Sequence, residues 1–154
     1  MQLADLLSSE RVALDQTLAS KKSVLERAAE LLSQGDDAAG VRDIFEALCQ
    51  RERLGSTGLG HGVAIPHCRV DQPGATGAFV RLKRTIDFDG PDAENVDLFF
   101  ALAVPARCSD YHLRLLAAIA ELFSDPERRR QMRDAADFAE LQAVLRELPD
   151  SGTG

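Results

Sequence analysis

The chain has 154 residues, 45% of them hydrophobic and 28% charged, and its formal net charge is −7. These values are typical of one globular domain with its own core, and the acidic balance argues against a nucleic-acid partner, which needs clustered Lys and Arg. No apolar run approaches the ~18 residues that a membrane span requires, and the N-terminus lacks the basic and apolar segments of a signal peptide. We therefore expect a cytoplasmic protein without membrane insertion.

Two helical patterns dominate the N-terminal third, after a short strand predicted at Arg11–Leu14. Ser20 is a suitable N-cap, and the apolar residues between positions 24 and 32 fall on one face of a helix that Gly35 ends. The second helix is amphipathic, with apolar residues at i, i+3, i+4, i+7 and i+8, namely Val41, Ile44, Phe45, Leu48 and Cys49. The charged triplet at positions 51–53 ends this helix.

A glycine-rich stretch follows at residues 55–69, with the sequence Gly-Ser-Thr-Gly-Leu-Gly-His-Gly-Val-Ala-Ile-Pro-His-Cys-Arg. Glycine suits positive φ and close approach to a ligand, and a run of Gly, Ser and Thr exposes backbone N–H groups that can bind an anion. Val63–Ile65 is predicted to form a short buried strand, which Pro66 ends because it cannot donate a ladder hydrogen bond. His67 then lies at a strand tip, where a neutral imidazole can act as a nucleophile toward phosphorus.

The second half of the chain predicts the fold class. Residues 71–77 are rich in turn formers, Ala78–Leu82 alternates as a strand, and Thr85–Pro91 is interpreted as an irregular connection. Val96–Val104 is almost continuously apolar, which is typical of a strand buried on both faces. Helices must then cover both faces of the sheet, so we predict a single α/β domain with a mixed β-sheet sandwiched by helices.

Three helices are predicted after this strand. Ser109 or Asp110 caps the first, whose two apolar faces indicate that it is largely buried; the faces contain Leu113, Leu116, Ala117, Ala120 and Phe123, and Leu115, Ile119 and Leu122. The second has Asp125 as N-cap and Pro126 at its first position, and its basic run, Arg128–Arg133, is interpreted as a solvated face. The third runs from Asp137 and buries Phe138, Leu141, Leu145 and Leu148.

The segments 55–60 and 62–67 resemble the active-site segment of the phosphotransferase-system enzymes IIA of the mannitol/fructose/nitrogen class, most closely the nitrogen-regulatory type. The resemblance covers nearly the whole chain and implies one enzyme IIA type-2 domain at residues 1–148. Residues 149–154 are expected to form a flexible C-terminal tail. The resemblance also implies that His67 accepts a phosphoryl group from an HPr-like phosphocarrier, with the tele nitrogen as the candidate and the choice between the two ring nitrogens left open. No cofactor is implied.

The resemblance also implies the output of the reaction. We expect a mainly regulatory phosphocarrier that acts on nitrogen metabolism or potassium homeostasis through target proteins, such as a sensor kinase or a potassium transporter. The alternatives are a sugar-specific enzyme IIA of the fructose or mannitol type, which passes the phosphoryl group to a IIB component, and a binding module that works without phosphorylation.

Several neighbours of His67 are candidates for the same site. The resemblance implies that His112 hydrogen-bonds the phosphoryl group or its partner nitrogen, whereas position alone suggests a capping or core histidine. Arg51 is a phosphate clamp or a cation at a helix C-terminus, with Arg53 as its competitor. Ser56 and Thr57 are phosphoryl donors or turn residues, and the backbone of the loop glycines completes the expected phosphoryl-binding loop, at Gly58, Gly60 and Gly62.

Two positions depart from the family pattern. Cys68 stands where glycine usually follows the phosphorylated histidine, and His61 stands where asparagine or another small polar residue is common. The spacing of Cys49, Cys68 and Cys108 fits neither zinc nor a disulfide framework, so we expect reduced thiols and no metal. A Cys68–His67 hydrolase dyad is disfavoured because adjacent strand residues point to opposite faces.

Overall fold

A computed structural model describes residues 3–88, 95–107 and 109–146. Two 3₁₀ turns, Leu3–Leu6 and Ser9–Arg11, precede the first strand. The described residues form six strands, β1 (Val12–Gln16), β2 (Gly58–Gly60), β3 (Val63–Ala64), β4 (His67–Val70), β5 (Thr76–Asp87) and β6 (Asn95–Pro105). They also form five helices, α1 (Lys21–Leu32), α2 (Val41–Leu54), α3 (Ser109–Ser124), α4 (Pro126–Asp134) and α5 (Phe138–Arg146).

The strands form one mixed sheet in the order β1-β5-β6-β3-β2, and β4 also pairs with β6. Strands β3 and β4 both run parallel to β6, and Val63 pairs with Leu98 while His67 pairs with Leu102. The register is the same before and after Pro66, whose carbonyl accepts the Leu102 amide at 2.9 Å. Residues 63–70 therefore behave as one strand that is interrupted at Ile65–Pro66.

Helices cover both faces of this sheet, as the sequence predicts. Helices α1 and α2 pack on one face through Val24, Leu32 and Leu48, together with Phe99 of β6. Helices α3, α4 and α5 and the first 3₁₀ turn cover the other face, and the buried core there includes Phe100 of β6. Because successive strand residues point to opposite faces, the continuous apolar run of β6 serves both cores. The prediction of a mixed α/β sandwich is confirmed.

The helix starts also agree with the sequence. Ser20 caps α1, because its side chain accepts the Ser23 amide while the Ser23 side chain accepts the Ser20 amide. Asp125 caps α4 by accepting the Glu127 amide, with Pro126 in the first turn. None of the helices in the described ranges is both long and apolar enough to cross a bilayer.

Strand β5 is longer than predicted. It includes Thr76 and Gly77 of the expected linker and extends to Asp87, so the irregular connection predicted from Thr85 is wrong for residues 85–87. The register shifts between Arg81 and Ile86, and positions 83–85 are exposed. This exposed polar segment breaks the apolar alternation on which a strand prediction depends. Positions 89–91 lie outside the described residues, as do Cys108, Leu148 and the tail at 149–154.

Two predictions about side-chain exposure are wrong. Helix α3 is not largely buried, because Leu113 is 61% exposed and Ala117 is also exposed. The basic run is not a uniformly solvated face either. Arg129 is buried and donates to the Phe123 carbonyl at 2.7 Å, and Arg133 pairs with Asp97.

Candidate functional site

His67 is the first residue of β4, at an edge of the sheet that β2 does not cover. A pocket of about 220 Å³ lies beside it. The pocket is lined from the end of α2, the glycine-rich stretch and the middle of α3, by Arg51, Ser56, Thr57, Gly58, Leu59, Ile65, His67, Leu116 and Ala120. The interrupted strand thus brings the candidate acceptor next to two helices that lie far apart in sequence.

The hydrogen bonds of the His67 ring define its tautomer. Nδ1 lies 2.8 Å from the carbonyl oxygen of Ile65, which can only accept, so Nδ1 carries the proton. Nε2 accepts from Nε of Arg51 at 3.2 Å. The lone pair of the ring is therefore on Nε2, beside a guanidinium group, and this nitrogen is the nucleophilic one.

The ring is also kept neutral. Burial lowers the pKa of His67 below its usual value, and the charges of Arg51 and Arg69 lower it further. The hydrogen bond to Ile65 and the charge of Glu52 oppose this shift. An imidazole with a lowered pKa is neutral at neutral pH, which is the form that can attack phosphorus.

Arg51 is held in place from the last turn of α2. Its Nη1 donates to the Gly55 carbonyl at 2.8 Å while its Nε contacts His67. A cation in this turn is also favoured by the helix dipole. The competing candidate, Arg53, is exposed, and its charge acts on the thiol of Cys49.

His112 lies against His67, with the ring centroids 5.2 Å apart in an edge-to-face arrangement. It is 5% exposed, and its buried Nδ1 has no hydrogen-bond partner among the residues that the structure describes. Burial, His67, Arg69 and Arg51 lower the pKa of His112 to about 4. A buried polar nitrogen without a partner is costly, so a group that binds here and completes its hydrogen bond gains free energy.

The two hydroxyls of the loop are committed to partners within the protein. Thr57 donates its hydroxyl to Oε2 of Glu52, and its amide donates to Oε1 of the same carboxylate at 3.1 Å. The Ser56 hydroxyl donates to the Phe88 carbonyl at 3.0 Å and accepts the Gly58 amide at 3.1 Å. Both residues line the pocket, but in this state neither has a free hydroxyl proton for a phosphoryl oxygen.

The glycines of the expected phosphoryl-binding loop separate into two groups. Gly58 lines the pocket, whereas Gly60 and Gly62 flank the β2–β3 turn with φ of 86° and 81° around His61 at 58°. A Cβ on Gly62 would come within 2.5 Å of Nη2 of Arg133, which binds the His61 carbonyl at 2.9 Å. These two glycines thus form a turn that is fastened to α4, and they do not line the pocket.

Cys68 lies on the opposite side of β4 from His67. It is 4% exposed, and burial raises the pKa of its thiol to about 12. The thiol belongs to the core beneath α1 and α2, so it is not placed to form a dyad with His67. Its φ is not positive, and the backbone at this position therefore does not require glycine. In the described ranges, His, Cys, Asp and Glu form no cluster of three or more that could hold a metal ion.

Three features of the site were missed by sequence reasoning. Glu52 is buried beneath the loop, whereas the sequence indicated only that the charged triplet to which it belongs ends the helix. Arg69 acts on both imidazoles, and its place two residues after His67 on one strand was the available signal. Leu116 and Ala120 line the pocket from α3, but they were assigned to the core because helical periodicity does not separate a pocket wall from a core face.

Comparison with known proteins identifies the family and the fold of the chain. The family profile described as "Phosphoenolpyruvate-dependent sugar phosphotransferase system, EIIA 2" matches residues 5–148. A nitrogen regulatory protein of Bradyrhizobium diazoefficiens is 38% identical over 150 residues, covering 94% of this chain and 95% of the relative. The crystal structure of the nitrogen regulatory protein IIA-Ntr from Neisseria meningitidis superposes with a TM-score of 0.88 at 39% identity, over 93% of this chain and 98% of that one.

The fold extends to a sugar-specific protein. The crystal structure of IIA mannitol from Escherichia coli superposes with a TM-score of 0.77 at 20% identity, over 90% of this chain and 98% of that one. At this identity the likeness concerns the fold alone. On the family profile and the nitrogen regulatory relatives together, the chain belongs to the EIIA 2 family of the phosphoenolpyruvate-dependent sugar phosphotransferase system.

Proposed function

We propose that this protein is a phosphocarrier in which Nε2 of His67 accepts a phosphoryl group from an HPr-like phosphocarrier protein in the cytoplasm. The observation that carries the proposal is the arrangement of the His67 ring. Its Nδ1 proton is donated to the Ile65 carbonyl, and its Nε2 lone pair lies at a pocket beside Arg51. This arrangement supports attack by the tele nitrogen.

The transfer breaks the N–P bond of the donor phosphohistidine and forms a bond between phosphorus and Nε2 of His67. The bonding pair of the broken bond stays on the donor imidazole, which leaves neutral after it has given up the phosphoryl group. The transition state is loose, so positioning and electrostatic stabilisation supply most of the catalysis. The hydrogen bond from Nε of Arg51 to Nε2 is released as the bond to phosphorus forms, and the guanidinium then stabilises the phosphoryl oxygens. The Ile65 carbonyl stabilises the Nδ1 proton as the ring becomes more positive.

The surface around the pocket suits a protein donor. Leu59 is 44% exposed in the pocket wall, and Leu54 and Leu113, which lie close in sequence to Arg51 and His112, are 85% and 61% exposed. Exposed apolar side chains beside an arginine pair are typical of a protein docking site. Arg51 and Arg69 also give this face a local positive charge within an acidic chain, which favours a phosphorylated partner.

The output is proposed to be mainly regulatory. Phosphorylation adds about −1.5 to −2 charge at the pocket that the exposed Leu59 lines, so a target protein can distinguish the two forms. The targets that we propose act in nitrogen metabolism or potassium homeostasis, for example a sensor kinase or a potassium transporter. The nitrogen regulatory relatives support this output, whereas the family description favours transfer to a sugar-specific IIB component as the second candidate.

The test is phosphoryl transfer from phosphoenolpyruvate through enzyme I and an HPr-like carrier, followed by intact mass and site mapping. We expect one acid-labile phosphoryl group on His67 and none on the His67→Ala variant. The matched control is His61→Ala, which removes the exposed histidine of the same stretch and should leave labelling intact. A folded wild-type protein that stays unlabelled with a competent carrier would instead support a phosphorylation-independent binding module.

A second assay separates the two candidate outputs. The phosphorylated protein is mixed with a fructose- or mannitol-type IIB component, and loss of the label from His67 is followed in time. Slow or absent transfer, together with a target that binds only one phosphorylation state, is the result expected of a regulator. Fast and complete transfer to the IIB component would favour the sugar-specific function.

A further inference from the structure

Glu52 is a buried carboxylate that the reaction above does not use. Its side chain is 4% exposed and lies in the last turn of α2, directly after Arg51. Burying a carboxylate is costly unless charged and hydrogen-bonding partners compensate it. The partners of Glu52 therefore indicate what its burial achieves.

These partners connect three separate segments. Oε1 accepts the Thr57 amide at 3.1 Å and pairs with Nζ of Lys21 at 3.0 Å, and Oε2 accepts the Thr57 hydroxyl. Lys21 begins α1, and its Nζ also lies 4.5 Å from the ring centroid of Phe88. Glu52 thus fixes Thr57 against the start of α1 and the end of α2 with both of its oxygens.

From Thr57 a chain of hydrogen bonds continues to the acceptor ring. The Thr57 carbonyl accepts the Ile65 amide at 3.1 Å, and the Ile65 carbonyl accepts the Nδ1 proton of His67 at 2.8 Å. The carboxylate and the imidazole are therefore joined through two residues without touching. Glu52 is also near enough to act electrostatically on His67, whose pKa it tends to raise.

We propose that Glu52 is a positioning residue for the phosphoryl acceptor. By fixing both donors of Thr57, it sets the position of the Ile65 peptide, and the Ile65 carbonyl in turn selects the tautomer of His67 that leaves the lone pair on Nε2. Without Glu52, the ring populates the other tautomer as well, and the fraction of molecules ready to attack falls. This inference rests on the proposed function, because it concerns the same acceptor.

The tautomer can be measured without any phosphorylation. Long-range ¹H–¹⁵N correlation spectra of the ring nitrogens distinguish a proton on Nδ1 from one on Nε2 in the unphosphorylated protein. We expect wild type and the control Glu46→Gln to show the Nδ1–H form, and Glu52→Gln to show a mixture. Glutamine keeps the shape of glutamate but has one acceptor oxygen, which cannot accept both Thr57 donors in the same way. Glu46 lies on the same helix, is exposed and pairs with Arg42.

The kinetic readout is the rate of phosphoryl transfer from the HPr-like carrier. We expect Glu52→Gln to lower kcat about tenfold or more, since small displacements of a reacting group are costly, and to leave KM for the carrier within twofold. Thr57→Val, which removes the hydroxyl, should lower kcat in the same sense. Thr57→Ser keeps both donors and should retain the wild-type rate.

The double variant Glu52→Gln/Thr57→Val tests whether the two residues act in one chain. If they do, its kcat falls little further than that of the worse single variant. Thermal melting checks that each variant is folded at the assay temperature. A fall in kcat caused by unfolding is thereby distinguished from one caused by a displaced His67 ring.

The possible failures are distinguishable. A wild type that is not labelled contradicts the proposed function, and the tautomer spectra then still decide whether Glu52 positions the ring. A labelled wild type with Glu52→Gln unchanged in tautomer and kcat overturns the positioning role. A change confined to KM would also overturn it, since it would assign Glu52 to the docking of the carrier.

Discussion

Two arginines contact the glycine-rich stretch with different partners, Arg133 at the β2–β3 turn and Arg51 at the proposed reaction site. At the β2–β3 turn, Arg133 donates to both oxygens of Asp97, at 3.1 and 2.9 Å, and to the His61 carbonyl at 2.9 Å. At the pocket, Arg51 donates to two neutral acceptors, the ring of His67 and the Gly55 carbonyl. No carboxylate pairs with Arg51 in the described part of the chain, so its charge remains available to an incoming anion.

The largest expected effect comes from removing the charge at the pocket. Arg51→Ala should lower the rate of phosphoryl transfer about 100-fold, because it deletes a charged donor at the transition state. Quenched-flow transfer from the phosphorylated carrier measures this rate, and urea unfolding checks that the fold is kept. Arg53→Ala is the matched control on the same helix, with an unchanged rate. Equal losses in the two variants would remove the distinction between Arg51 and an ordinary helix-end cation.

Removing the charge at the turn should lower the stability of the protein and leave the rate of phosphoryl transfer nearly unchanged. Arg133→Ala leaves Asp97 partly buried without its partner, so we expect a loss of about 2 kcal/mol in the free energy of unfolding; this is below the range for fully buried pairs because the site is partly solvated. Transfer by the folded variant should stay within twofold of wild type. Arg130→Ala removes an exposed arginine of the same helix that pairs with Glu127 and Asp134, and it should lower the free energy of unfolding far less than Arg133→Ala does. A large fall in transfer rate without loss of stability would assign Arg133 to the reaction.

A smaller effect is expected at Cys68, the residue that follows His67 on β4. Cys68→Gly removes a buried side chain and adds backbone freedom to β4, and we expect a loss of about 1.5 kcal/mol in stability. The rate of transfer should not change, since the thiol faces the core and not the pocket. A strong fall in rate with the fold intact would reveal a role for the thiol in the reaction.

The smallest expected effect is a pH dependence at His112. Its pKa is lowered from the usual 6.5 to about 4 in the folded protein, so between these values the unfolded state binds more protons. Its contribution to stability is full above pH 6.5 and is lost as the pH falls toward 4. We expect about 1 kcal/mol to be lost by pH 5.5, measured as the difference between wild type and His112→Asn in urea unfolding. A difference that stays constant with pH would contradict a buried neutral His112.

The parts of the fold that local patterns determine were predictable. The caps at Ser20 and Asp125 and the apolar run of β6 place their elements correctly, because the signal lies within a few residues. The continuation of β5 to Asp87 was hidden, because its exposed middle contains Lys83, Arg84 and Thr85. The exposure of Leu113 was not predictable from the sequence because both faces of α3 are apolar. Only the packing of the helix decides which face is covered.

For the candidate site, the sequence predicted the main residues but not their hydrogen-bond partners. The sequence singled out His67, His112 and Arg51, and the structure brings their side chains together. It did not indicate that the hydroxyls of Ser56 and Thr57 are already bonded, because their partners, Phe88 and Glu52, are recognised only in three dimensions. Nor did it indicate the acceptor for the Nδ1 proton, which is a peptide carbonyl.

That carbonyl makes the tautomer of His67 independent of the side chain at the position that supplies the acceptor. In many proteins the tautomer of a histidine depends on a carboxylate or an amide side chain, and one substitution removes it. The acceptor at Ile65 is part of the main chain, and every residue type at position 65 would supply the same oxygen. A substitution at position 65 therefore leaves the tautomer of His67 unchanged, provided that the backbone of the interrupted strand keeps its path.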